Sequence, residues 1–366
     1  MDNHDALLQA IIDAPDDDAP RLAYADAAER SGDRDRAEFI RLQCTLDRLT
    51  PEAGERTALA SRETDLLARH GWEWAEEFAA PPGDVYGQPK LHEWVYRRGF
   101  IERVDMYLGG SSEEILDVLR RAPIRHVRDT SQLDELGGLV GALPHLERLT
   151  GLEFWNLYAF ENARVAEMLA SPHLRNLRTL ILHHDRNGDL AEESVLVEAM
   201  ASPYRSNLEE LGVNIDDSWR GPSVAILEAI AASPHLRRLR KLNLSYAGDT
   251  GNSPSMDVKT ARVMRDSPNF VGLEELDLRG AAFPLEVWDE VLKWPWLSNL
   301  KTLFLSGVSV TGSPYLSRLT TFPGYRAAFE ERVGRVDWET EYITPVDGDT
   351  CWHGLTWEKR PGSAAG

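Results

Sequence analysis

The sequence predicts an α/β fold in which a small all-α module precedes a parallel β-sheet with helices on its outer side. The sheet is predicted from a recurring phrase: SPHLRNLRTLIL (171–182) returns as SPYRSNLEELGV (202–213) and SPHLRRLRKLNL (233–244), at intervals of 31 residues. Each copy contains a short strand pattern. The module is predicted from residues 1–80, which carry helical periodicity and no strand pattern. Repeats of this length indicate units that stack because one unit cannot bury its apolar face alone.

The apolar positions of each copy follow the pattern Leu-x-x-Leu-x-Leu, which is typical of the strand of a leucine-rich repeat. Clear copies begin at Leu177, Leu208, Leu239, Leu273 and Leu300, and weaker ones at Ile101, Ile124 and Leu149. Because these starts lie 23 to 34 residues apart, we expect about eight repeats over residues 101–320. The predicted fold class is therefore a leucine-rich-repeat solenoid, similar to ribonuclease inhibitor, with a parallel sheet and outer helices.

Helical segments separate the predicted strands. Residues 162–170, 223–231 and 258–264 have apolar side chains at helical spacing. Ser-Pro pairs follow these segments, for example at 171–172 and 267–268, and proline cannot continue a helix. Each repeat is thus expected to run strand, loop, helix and proline stop.

The N-terminal module, residues 1–80, is predicted to contain helices over 5–12, 21–30, 36–49 and 52–70. Residues 81–100 are expected to form a transition that covers the first repeat. The acidic stretch 13–20 lacks the glycine and distal glutamate of a calcium loop, so helix capping is the better interpretation.

The module resembles the bacterial repeat-companion domain, which precedes leucine-rich repeats. The resemblance lies in Leu-Ala-Tyr-Ala-Asp (22–26), Glu-Arg-Ser-Gly-Asp (29–33) and Ala-Glu-Phe-Ile-Arg-Leu-Gln (37–43). Two departures are Ala27-Ala28, where the family usually has Trp-Leu, and the inserted Ser31. The resemblance implies this architecture and protein binding, and it brings no catalytic residues. The polar motif members Tyr24, Asp26, Glu38 and Arg41 are interpreted as an internal lattice that joins short helices, rather than as a docking site.

Composition restricts the partners and the compartment. The net charge of −20 has no basic block to offset it, so nucleic acid is not expected as a partner, and another protein with a basic surface is. No apolar run is long enough to span a membrane, so no membrane association is expected. The chain has 2 cysteines and no secretory signal, which predicts a cytoplasmic protein.

No recognisable catalytic or cofactor motif occurs in the sequence, so we expect neither an enzyme nor a bound cofactor or metal. Adjacent histidines at 183 and 184 point to opposite faces of a strand, and this disfavours a metal site.

The candidate binding residues are those between the leucines, because in a strand they point away from the core toward the concave face. They mix charges with aromatic and apolar groups that are expected to be solvent-facing, and aromatic and arginine side chains often anchor protein interfaces. The set comprises Arg103, Asp105, Tyr107, Glu153, Trp155, Ile181, His183, Asn214, Lys241, Asn243, Asp277, Arg279 and Phe304.

The C-terminal segment, residues 321–366, departs from the repeat and is expected to cap the last unit. Residues 325–333 have a helical pattern and residues 335–343 alternate like a strand. Its apolar members Phe322, Phe329, Val333 and Trp338, with Trp352 and Trp357, are expected to pack on the core.

The sequence as a whole predicts a non-catalytic protein that binds another protein through its repeat surface. The alternative is a regulatory subunit or inhibitor of an effector enzyme, such as a protease or nuclease, in a bacterial defence or signalling system. Partner identity and oligomeric state are not determined by these patterns.

Overall fold

A computed structural model describes residues 3–50, 53–76, 91–106, 111–129, 137–154, 162–184, 193–215, 223–245, 256–310 and 317–339. Within these ranges the chain is an α/β protein with a large, mostly parallel sheet and an N-terminal helical module. No helix in them is both long and apolar enough to cross a bilayer.

The described part of the module contains the four predicted α-helices: Asn3–Asp13 (α1), Ala19–Arg30 (α2), Arg34–Arg48 (α3) and Arg56–His70 (α4). Asp33 begins α3 by accepting a hydrogen bond from the backbone N–H of Arg36. The Arg41 guanidinium pairs with Asp26 at 2.6 Å and Glu29 at 2.7 Å, so it ties α3 to α2. These contacts agree with the interpretation of the polar motif as an internal lattice.

Ten strands form the main sheet, and its spatial order follows the chain. They are Leu91–Arg97 (β1), Phe100–Met106 (β2), His126–Asp129 (β3), Gly151–Phe154 (β4), Thr179–His184 (β5), Glu210–Ile215 (β6), Lys241–Asn243 (β7), Glu275–Asp277 (β8), Thr302–Phe304 (β10) and Val336–Asp337 (β13). Only β1 is antiparallel to its neighbour. A smaller sheet joins Ala282–Phe283 (β9), Ser309–Val310 (β11) and Ser317–Arg318 (β12).

Each predicted repeat pattern contributes one strand, although the hydrogen-bonded part generally begins about two residues later than the first leucine. Leu177 still closes the preceding turn, since its N–H donates to the Leu174 carbonyl, and the strand starts at Thr179. The inward side chains nevertheless pack as the leucine pattern requires: Leu152, Leu180 and Leu211 are fully buried and lie in register.

Along the chain, a helix follows most of the strands. These helices pack against the leucine side of the sheet and form one continuous core with it. They are Ser112–Arg121 (α5), Gly137–Ala142 (α6), Asn162–Ala170 (α7), Glu193–Ala201 (α8), Val224–Ala232 (α9), Val258–Asp266 (α10) and Leu285–Val291 (α11). Helices α7 to α10 end at the residue before Ser-Pro, as predicted. Short 3-10 turns follow at Pro172, Pro203 and Pro268.

The C-terminal segment extends the same core. Tyr325–Arg332 (α12) is the predicted helix, and β13 pairs with β10 as the last strand of the sheet. Phe329 and Val333 are buried, while Phe322 and Trp338 are partly buried against the core. Trp352 and Trp357, also expected to pack there, lie outside the described residues.

The helical module is joined to the sheet by the β1–β2 hairpin. At its turn Arg98 and Gly99 have positive φ values of 48° and 88°. The buried carboxylate of Glu102 accepts from Arg21 of α2 at 2.7 Å and from Arg98 at 3.1 Å. The segment expected to be a transition therefore includes an edge strand of the sheet and part of its connection to the module.

Candidate interaction surface

The face of the main sheet opposite the helix-packed leucines carries two rows of side chains that run across eight parallel strands. We call this the polar face. The outer row is Arg103, His126, Gly151, Thr179, Glu210, Lys241, Glu275 and Thr302. The inner row is Asp105, Arg128, Glu153, Ile181, Gly212, Asn243, Asp277 and Phe304. Members of a row are in register, so each side chain lies beside those of the neighbouring strands.

Most of the predicted contact residues are in the inner row or next to it, and the structure corrects the expectation that they are solvent-facing. Contacts with other side chains cover them, as Arg279 covers the Asp277 carboxylate. The corrected residues, all at most 9% exposed, are Asp105, Glu153, Ile181, Asn243, Asp277, Arg279 and Phe304. Their main contacts are with other side chains of the polar face, and little of their surface is accessible to a partner.

The outer row is the accessible part of the polar face. Lys241 is the most exposed of the predicted residues whose side chains the structure describes, with 49% of its side chain accessible. Arg103, Thr179, Glu210, Glu275 and Thr302 are half-buried. A partner that lies on the sheet would touch this row first.

For four of the predicted contact residues the structure does not describe the side chain. Tyr107 and Trp155 lie outside the described residues. The backbones of His183 and Asn214 are described, and they pair across β5 and β6 one step beyond the two rows.

Near β2 to β4 the polar face holds a compact group of charges. Glu153 Oε1 lies 2.5 Å from His126 Nε2 and 3.3 Å from an Arg103 guanidinium nitrogen. Arg128 pairs with Asp105 one strand away. Burial alone would raise the pKa of Glu153, but His126 and the two arginines outweigh it and lower the pKa to about 2. This carboxylate is therefore ionised and held in place at neutral pH.

His126 and Arg128 were missed by the sequence reasoning. They lie in the weakest strand pattern, Ile124-x-x-Val127, which has no leucine. His126 and Arg128 lie two and four residues after Ile124, just as Arg103 and Asp105 lie two and four residues after Ile101. Applying the same spacing to this weak pattern would have placed them in the two rows.

At the other end of the polar face, Arg279 folds onto Asp277. Its Nε lies 3.0 Å from both carboxylate oxygens, and its backbone N–H donates to Asp277 Oδ1 at 3.0 Å. The guanidinium carbon also lies 5.2 Å from the centre of the Phe304 ring. Between the two ends, Lys241 Nζ is 3.8 Å from Glu275, and burial raises the pKa of that glutamate.

These charges mostly neutralise one another. The rows together with Arg279 contain four basic residues, Arg103, Arg128, Lys241 and Arg279, and five acidic ones, Asp105, Glu153, Glu210, Glu275 and Asp277. The described part of the face therefore offers a fixed pattern of both signs, which suits polar recognition.

The described residues bring no group of three or more His, Cys, Asp or Glu together in a way that could hold a metal ion. Cys44 is buried in the module, and burial raises the pKa of its thiol to about 11. A thiol with that pKa is a weak nucleophile at neutral pH.

No protein-family model matches the chain, and no curated protein matches it. Four chains of solved structures match. One is a protein of Bacteroides fragilis whose crystal structure was determined by the Northeast Structural Genomics Consortium. It is 14% identical, the match covers 60% of this chain and 67% of that one, and the TM-score is 0.36. A likeness this weak carries no inference about fold or function.

Proposed function

We propose that this chain is a leucine-rich-repeat solenoid with a repeat-companion module at its N-terminus, and that it binds another protein through the polar face without catalysing a reaction. The observation that supports this proposal is the unbroken register of the two rows over eight strands. Stacked repeats produce such an extended surface, and binding is its usual role.

The pairing of the inner row supports recognition by a preformed surface. Glu153 and Asp277 are held by several contacts each, so the side chains beneath a partner would not need to be ordered on binding. A rigid surface reduces the conformational entropy lost on association. The partner is expected to carry both signs of charge where it contacts the face, while the net charge of −20 favours the approach of a basic protein.

A substitution in the accessible outer row tests whether the polar face binds the partner. Replacing Lys241→Glu places a third acidic side chain between Glu210 and Glu275, so a partner matched to the present pattern should be repelled. We expect affinity purification from native cells, followed by quantitative mass spectrometry, to recover at least about tenfold less of the specific partner. Thermal melting should change little, because Lys241 is exposed.

The matched control is Lys259→Glu on α10, on the helical side of the sheet. Lys259 is also exposed and also pairs with a glutamate, Glu228, at 2.9 Å, so the net charge change and the lost ion pair are comparable. The control should retain the partner. Equal recovery by both variants and the unmodified chain would rule out the polar face as the interface.

Charge reversal at Asp277 would not be a clean test of the same interface. Its carboxylate is buried and holds Arg279, so reversal would disturb folding together with binding.

A further inference from the structure

A cavity of about 350 Å³ lies where the helical module meets the first hairpin of the sheet. Helices α1, α2 and α3 contribute one side of it, and β1, β2 and the end of α5 contribute the other. Exposed residues Ser31, Asp33 and Arg121 are at its mouth, and buried Phe100 and Ile101 are among its deeper residues. The cavity is separate from the polar face.

Aromatic rings and one guanidinium dominate the lining. The guanidinium carbon of Arg36 lies 4.8 Å from the ring centre of Trp74, 5.2 Å from that of Phe100 and 5.8 Å from that of Tyr96. Tyr24 packs edge-on against Phe100 at 5.1 Å. Rings of this kind hold a planar apolar group, and a guanidinium beside them can bind a carboxylate in a two-pronged geometry.

The residues that line the cavity include more basic than acidic groups, although the chain as a whole is acidic. Arg36 and Arg121 line it with a single carboxylate, Asp33. That carboxylate already caps α3, since it accepts the N–H of Arg36 at 3.0 Å. Arg121 is exposed at the mouth and pairs with Asp117, whereas the Arg36 guanidinium lies among the aromatic rings of the lining. In a protein of net charge −20, a cationic aromatic cavity selects an anion with a flat apolar part.

We propose that this cavity binds a small aromatic carboxylate. Its volume lies at the lower end of the range for small-molecule sites, which suits one or two fused rings with a short acidic arm. The arginines would receive the carboxylate and the aromatic walls would contact the ring. This site does not depend on the proposed protein-binding function of the polar face.

The test uses the full chain and two acids, indole-3-acetate and 4-hydroxyphenylacetate, each with its neutral amide as a matched probe. Isothermal titration calorimetry and ligand-observed NMR would measure binding. We expect at least one acid to bind, and its amide to bind at least about tenfold more weakly, because the amide has lost the charge-assisted contact.

Variants then locate the site. Arg36→Met should weaken binding of the acid at least about tenfold, and Arg121→Met should weaken it to a smaller extent. Arg121 is 45% exposed in its side chain, so this second variant keeps the test available even if Arg36→Met destabilises the module. The control is Arg30→Met, which removes an exposed arginine of α2 that does not line the cavity, and it should bind as the unmodified chain does.

Three results would overturn the proposal. One is that neither acid binds, which would make the cavity a water-filled gap at a packing junction. Another is equal binding of acid and amide. The third is an affinity unchanged in both Arg36→Met and Arg121→Met.

Discussion

At the scale of single residues, Glu153 shows how a carboxylate can be stable inside a crowded sheet face. Its side chain is 4% exposed, and it is contacted by His126 from the adjacent strand β3 and by Arg103 from β2 beyond it. Gly151 lies two residues before Glu153 on the same strand, in the outer row. It leaves the space in which the His126 ring lies, because a Cβ at this position would be 2.0 Å from that ring. The absence of one side chain thus makes room for the partner of another.

Replacing Glu153→Gln should lower the free energy of unfolding by about 3 kcal/mol at pH 7, because it removes the anion from a buried charged group. Its pKa of about 2 lies below the ordinary 4.5. The stabilisation by ionised Glu153 is therefore complete above pH 4.5 and is lost as the pH falls toward about 2. Urea denaturation at a series of pH values should show that the free energy of unfolding falls less between pH 4.5 and about 2 in the variant than in the unmodified chain.

The matched control is Glu147→Gln. Glu147 also pairs with a histidine and an arginine, His173 and Arg175, but its side chain is 42% exposed. Because solvent screens these contacts, the change should be below about 0.5 kcal/mol. Equal losses in the two variants would contradict the account of the Glu153 group.

At the scale of the elements, the Ser-Pro phrase does more than end a helix. Ser267 Oγ accepts the N–H of Asn269 and so begins the next 3-10 turn. The same hydroxyl donates to the Ala231 carbonyl of the preceding unit at 2.6 Å. Ser233 makes the corresponding bond to Met200 O, also at 2.6 Å. These bonds satisfy carbonyls at helix ends that have no partner within their own helix.

The substitution Ser267→Ala should therefore lower the free energy of unfolding by about 1–2 kcal/mol, since it leaves a buried carbonyl and a turn N–H without this partner. Ser298→Ala is the control, because Ser298 is exposed and bonds only locally in the described structure, to Pro295 O. The control should change stability by less than about 0.5 kcal/mol. Chemical denaturation would measure both, and an unaltered Ser267→Ala protein would refute the linking role.

At the scale of the whole molecule, the N-terminal module and the sheet are packed closely at Gly99. A Cβ on this glycine would lie 2.5 Å from the Ile40 side chain and 2.8 Å from its Cα in α3. Around it, buried Arg21, Arg98 and Glu102 connect α2 to the hairpin. Apolar contact and buried ion pairing at one junction predict that the module does not move independently of the sheet.

Gly99→Ala should separate the effect of this close approach from that of backbone strain when it is compared with Gly32→Ala. Both glycines have positive φ, 88° and 97°, but nothing lies within 4 Å of a Cβ at Gly32. In both variants the free energy of unfolding should fall by about 1–2 kcal/mol because alanine is strained in the left-handed region. In Gly99→Ala it should fall by about 1–3 kcal/mol more, because the new methyl group collides with Ile40.

Hydrogen exchange would show where the additional loss occurs. In Gly99→Ala the amides of α1 to α3 should lose protection relative to those of β5 to β8, while Gly32→Ala should leave the junction protected. Identical exchange in the two variants would contradict tight docking of the module.

Much of the secondary structure was predictable because it depends on local periodicity. The leucine spacing located eight strands, and the Ser-Pro pairs ended helices α7 to α10. The accessibility of the polar face was predicted less well. Alternation assigns a side chain to a face, but it does not determine whether the neighbours in register cover it, and Ile181 and Asp277 proved to be buried.

The sequence by itself determined the order of strands and helices, the ends of those helices and the residues on each face of the sheet, because each depends on spacing along the chain or on proline. Only the tertiary structure decided which charged groups meet, as in the contact of Glu153 with His126 and Arg103, and that a cavity forms beside Arg36. The physical reason is that these features arise from side chains on different elements, whose distances are set by strand register and by the docking of the module, neither of which is encoded in a local pattern.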